Sequence, residues 1–112
     1  MEDLRNENYS IFLLDDSPRV PFQFDGRILY SCSGYELVHL NLQPGEGMEP
    51  HAQPFDVVFF IAEGCGTLTV GDEQIETGIN TAVHVPAGVR RAWKNTGNIP
   101  LRILVNKLLI KT

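Results

Sequence analysis

The sequence predicts an all-β domain, a sandwich or barrel of short antiparallel strands. Three observations predict it. Short apolar runs recur roughly every eight to twelve residues. Gly- and Pro-containing turns separate them. No window longer than a few residues keeps a helical apolar period. With 112 residues, 43% hydrophobic and 21% charged, the chain reads as one globular domain over 1–112, large enough for a real core.

The elements follow in order. The opening "MEDLRNENYS" is polar and acidic, and is expected to be loose. It is not a basic region followed by an apolar one, so no signal peptide is expected and the expected location is cytoplasmic. The expected strands are "SIFLL" (10–14), "VPFQF" (20–24), "RILYSC" (27–32), "YELVHLNL" (35–42) and "DVVFFIA" (56–62). "GTLTV" (66–70), "EQIET" (73–77), "TAVHV" (81–85), "VRRAWKN" (89–95) and "LRILVNKLLI" (101–110) complete the set. The turns "DG", "SG", "QPGEG", "EGCG", "GDE", "TGIN", "PAG" and "TGNIP" supply special backbone angles or end ladder pairing. Any helix is expected to be a turn or two near the N-terminus.

Alternation assigns faces, because neighbouring strand side chains point to opposite sides. In "VRRAWKN", Val89, Arg91, Trp93 and Asn95 share one face, and Arg91 is expected inward beside Val89 and Trp93. Arg90, Ala92 and Lys94 make a solvated face. In "PHAQPFDVVFFIAEGCG", His51, Gln53, Phe55, Val57, Phe59 and Ile61 share a parity. Asp56, Val58, Phe60 and Ala62 form the other set, also mostly apolar. A strand apolar on both faces is buried on both, which predicts a second layer or a partner copy, hence a homodimer.

Composition excludes several function classes. A net charge of −5 and a pI near 5.0 argue against a nucleic-acid or anionic-membrane partner. No stretch approaches the ~18 apolar residues of a membrane span. Cys32 and Cys65 are expected as free thiols, and as small buried residues. Ser10, Ser17, Ser31 and Ser33 lie outside the notable motifs, and Cys65 has no cationic neighbour in sequence to activate it. "GEG" and "GCG" read as strand–strand turns, not phosphate loops.

The stretch "PGEGMEPHAQPFDVVFFIAEGCG" (44–66) resembles the first motif of the small single-domain cupins, the RmlC-like barrels. Their pattern is Gly, five residues, His-x-His, three or four residues, Glu, six residues, Gly. "VPAGVRRAWKN", in a region spanning about 78–95, resembles their second motif, Pro-x-Gly-x-x-His followed by Asn. The turn residues Pro44-Gly45, Glu63-Gly64, Gly66, Pro86-x-Gly88 and Asn95 match. The resemblance implies an antiparallel jelly-roll barrel, a double-stranded β-helix. It also implies where metal ligands would fall. The first histidine is His51, the second position holds Gln53, the glutamate position holds Val57 (or Val58), and the last histidine position holds Arg91.

That set argues against a metal cofactor. A transition metal wants imidazoles and a carboxylate from fixed positions. A guanidinium neither coordinates nor deprotonates, and it repels a dication. A divalent metal would need another donor set, His51 with His39 or His84. Three functions remain open. The first is a metal-independent pocket for a small organic ligand, carboxylate or sugar-like. His51, Gln53 and Arg91 would be its polar groups, with Phe55, Val57, Phe59 and Trp93 as walls. The second is an isomerase, epimerase or dioxygenase-like enzyme with an altered metal site, with His51 as its catalytic candidate. The third is a dimeric structural module whose barrel is filled, Arg91 pairing with an internal acid such as Glu36.

Overall fold

The computed structural model describes residues 7–110. The expected loose opening segment falls largely on residues 1–6, outside those described. Among the described residues a 3-10 turn over Leu14–Asp16 precedes nine strands. They are β1 (Asp25–Cys32), β2 (Tyr35–Leu42), β3 (Gly47–His51), β4 (Asp56–Glu63), β5 (Gly66–Val70), β6 (Glu73–Thr77), β7 (Ala82–Val85), β8 (Arg91–Lys94) and β9 (Leu101–Leu108). A five-stranded sheet in the order β1-β2-β9-β4-β7 faces a four-stranded sheet in the order β3-β8-β5-β6. Every pairing is antiparallel, and the fold is a jelly roll. No helix among the described residues is long and apolar enough to cross a membrane.

The sequence pattern explains the layers. β9 holds Leu101, Ile103 and Val105 inward and Arg102, Leu104 and Asn106 outward, and it sits between β2 and β4. Its pairing with β2 runs from Tyr35 opposite Leu108 to Leu42 opposite Leu101 without a slip. Slipping by one residue would turn the whole apolar set to the outside. Val38, Leu40 and Leu42 of β2 and Val57, Phe59 and Ile61 of β4 complete that inner face. Leu68 and Trp93 meet them from the other sheet. Each such side chain contributes about 1.5–3 kcal/mol by leaving water. Gly64, after β4, has φ +80°, and a Cβ there would stand 2.4 Å from the Pro100 carbonyl oxygen. Only glycine accepts both conditions.

Two expected strands are absent. "SIFLL" leads into the 3-10 turn, and "VPFQF" bends. One bridge, Arg19 with Arg27, is all the pairing this segment makes with β1. Pro18 and Pro21 remove ladder donors there. One strand was not expected. β3, "GMEPH", carries little apolar signal because it is an edge strand that pairs only with β8, with a slip between Met48 and His51. The cysteine expectation needs correcting too. Both thiols are free, but both are exposed, Cys32 ending β1 and Cys65 in the turn between β4 and β5. The doubly apolar strand divides its faces. Val57, Phe59 and Ile61 are buried in the core, Val58 and Phe60 are half-buried on the outer side, and Ala62 is exposed.

Candidate functional site

The site grows from β8. Its parity holds as read: Arg91 and Trp93 are buried, Ala92 is half-buried and Lys94 exposed. Arg90 is exposed and Asn95 buried at the two ends. Across the ladder, Arg91 stands opposite His51 of β3. The two sequence motifs therefore meet as neighbouring strands on one sheet. A turn also joins them. Gly88, with φ +82°, donates its N–H to the Gln53 carbonyl at 2.8 Å.

Inside the barrel mouth lies a cavity of about 60 Å³. His51, Gln53, Phe59 and Arg91 line it, together with Met48 and Lys107. Arg91 is only 4% exposed, and its Nε and Nη1 have no hydrogen-bond partner among the described residues. Burial pushes its pKa down, yet a guanidinium keeps its charge. The acid considered as its partner, Glu36, lies instead 3.6 Å from Lys107 Nζ. Lys107 also stands 5.9 Å from the centre of the Phe55 ring. His51 Nδ1 lies 3.0 Å from the Glu49 carbonyl oxygen. A carbonyl only accepts, so the neutral ring carries its proton on Nδ1 and leaves Nε2 an acceptor.

The other expected walls sit beside this cavity rather than on it. Val57 is fully buried in the core. Trp93 meets Phe59 edge-on, with centroids 5.4 Å apart and planes at 83°. Its indole Nε1 has no partner among the described residues. Phe55 is half-buried and packs against the core cluster. Lys107 was missed by sequence reading. The signal was available, because Lys107 shares its parity with Leu101, Ile103 and Val105. Met48 and Phe22 also line the cavity and were missed, because Met48 lies in no expected strand and the expected strand "VPFQF" bends instead.

Neither remaining histidine joins His51 on the cavity wall. His39 lies on β2, where its Nε2 accepts from Arg102 Nε at 3.0 Å. Burial and the Arg102 charge lower its pKa against a smaller opposing pull from Asp25. His84 is exposed, its Nε2 2.8 Å from Asp56 Oδ2. Asp56 Oδ1 accepts from the Ala87 N–H at 2.9 Å, and these two bonds hold the Asp56 carboxyl below its usual range. Among the described residues no group of three or more His, Cys, Asp or Glu side chains could hold a metal ion. The residues at the family's ligand positions offer one imidazole, one amide, one alkyl group and one buried, unpartnered guanidinium. They do not fit a divalent metal.

Comparison with known proteins adds the lineage. Residues 38–106 match the family described as "Cupin domain". Over 75 residues the chain is 34% identical to the tetracenomycin polyketide synthase protein TcmJ of Streptomyces glaucescens, covering 66% of this chain and 50% of that protein. Over 60 residues it is 37% identical to an uncharacterized protein of Streptomyces coelicolor, covering 54% of each. The chain thus spans about half the length of these curated relatives. Among solved structures, KdgF from Halomonas superposes with a TM-score of 0.79 at 14% identity, covering 91% of this chain and 96% of that one. A predicted oxalate decarboxylase from Thermotoga maritima gives 0.79 at 16% identity, covering 89% and 99%. At such identities these structures share the fold.

Proposed function

We propose that this chain, which belongs to the cupin family, binds a small organic acid in its barrel without a metal. One observation carries the reading. The Arg91 guanidinium, 4% exposed, lines the cavity, and its Nε and Nη1 meet no acceptor among the described residues. A buried charge without a partner is costly, and unmet buried donors call for an explanation. A carboxylate supplies an acceptor and the countercharge that the guanidinium lacks. Lys107 adds a second cation on the same cavity, partly offset by Glu36.

Calorimetric titration with benzoate tests this directly. Wild-type protein is expected to bind it, and Arg91→Met is expected to lose binding. Equal affinity in the two proteins would overturn the reading. So would about one transition-metal ion per chain in protein purified without chelators.

A second reading, acid–base turnover of the bound acid, is favoured by His51, whose Nε2 acceptor lies on a ring directly across the ladder from Arg91. It predicts turnover of a bound acid that His51→Ala abolishes. A homodimer joined through the half-buried outer face around Val58 and Phe60 belongs to the same proposal. Phe60→Glu should then shift the protein to monomer on a sizing column, and an unchanged profile would refute that interface.

A further inference from the structure

The cavity beside Arg91 is too small for the whole of most ligands. At about 60 Å³ it takes an acid group and little more, whereas pockets for drug-sized molecules run from roughly 300 Å³ upward. A second space of about 450 Å³ adjoins it. The two share Phe22, Met48, His51 and Gln53 as common walls. Of the neighbouring spaces this groove shares the most walls with the cavity, so a ligand with its acid group at Arg91 finds room for a larger body here.

The groove's chemistry differs from the cavity's. Pro21, Phe22, Phe24, Met48 and Pro50 give it apolar surface. Phe22 stacks on Phe24 with centroids 4.7 Å apart and planes 16° from parallel. Phe24 is 5% exposed, but Phe22 is 42% exposed. The stack therefore ends in a partly exposed ring on the groove wall. A flat apolar body continues such a stack, and it loses little by leaving water. Gln23, Glu49, His51 and Gln53 also line the groove, but its surface is more apolar than polar, which favours a flat apolar ring over one ringed with hydroxyls. The Glu49 charge repels a second carboxylate there.

Resting on the acid-binding reading above, we infer that the ligand is a planar, apolar monocarboxylate, an aromatic acid rather than a sugar acid or a diacid. Its carboxylate meets Arg91 and Lys107, and its ring lies on Phe22.

The test compares naphthoate, acetate, glucuronate and naphthamide on the wild-type chain, Phe22→Ser and Arg91→Met, by calorimetry at fixed ionic strength. Naphthoate is expected to bind wild type at least about tenfold more tightly than acetate or glucuronate. Phe22→Ser is expected to erase that advantage, bringing naphthoate to the affinity of acetate. Naphthamide, which lacks the charge, is expected not to bind. Phe22 is exposed enough that its loss should spare the fold, and an unchanged melting temperature checks this. If glucuronate or acetate matches naphthoate, or Phe22→Ser changes nothing, the aromatic-acid inference fails while acid binding at Arg91 stands. If no acid binds wild type, or Arg91→Met binds them equally, both fall.

Discussion

Strand β8 and the turn after it bury two polar side chains on one face, Arg91 and Asn95, and the protein treats them in opposite ways. Asn95 is 1% exposed and fully engaged. Its Nδ2 donates to the Leu42 carbonyl at 2.8 Å and to the Ile99 carbonyl at 2.9 Å, and its Oδ1 accepts from Gly97 N–H at 2.9 Å. Its backbone closes the β3 end of the ladder through Glu46 and Gly45. Arg91 is 4% exposed and has Nε and Nη1 unmet. One end of the barrel is thus plugged by a satisfied amide and the other is lined by an unsatisfied cation. A polar group buried to hold a fold is met by that fold. A buried charge left unmet calls for an explanation, and the proposed ligand supplies one for Arg91.

The contrast can be broken at either end. Asn95→Ala should produce the largest effect. It strands two carbonyls and an N–H, and a loss of about 3 kcal/mol is expected in urea unfolding. A loss under about 1 kcal/mol would mean that the plug is dispensable. Arg91→Met should move stability the other way. Replacing an unpaired buried cation by an apolar chain of similar length should raise stability by about 1 kcal/mol in ligand-free buffer. Destabilisation on the scale of Asn95→Ala would show that the guanidinium has a partner within the protein.

His39 sharpens the comparison by standing between the two cases. It is 2% exposed, with Nε2 met by Arg102 and Nδ1 unmet. Its pKa is lowered in the fold, so the unfolded chain binds the proton more readily. Stability should therefore be full above the usual imidazole value of about 6.5 and fall as the pH drops below it. Melting temperatures between neutral and mildly acidic pH measure this modest effect. His39→Gln keeps an acceptor for Arg102 and should flatten that slope, and an unchanged slope would assign it to other groups.

Much of this contrast was legible in the chain. The parity of "VRRAWKN" put Arg91, Trp93 and Asn95 on one inward face, and the turns around Gly64 and Gly88 marked the ends of strands. β2, β5 and β6 were read with their observed bounds, because alternation and flanking turn residues agree there. What sequence left open depends on contacts between segments far apart. Glu36 meets Lys107 rather than Arg91 because β2 and β9 pair in a register that puts those two side by side. Asn95 matched a motif position, but its three side-chain bonds come from loops that only the folded chain brings together. β3 was hidden because an edge strand with a proline carries no apolar alternation.

The most direct test is heteronuclear NMR of the Arg91 side-chain Nε–H, assigned by its disappearance in Arg91→Lys, during titration with benzoate. The account predicts a free-state signal without hydrogen-bond character that shifts progressively downfield as a carboxylate engages it. A signal already hydrogen-bonded before any acid is added, or one that stays still while acid binds elsewhere, would contradict it.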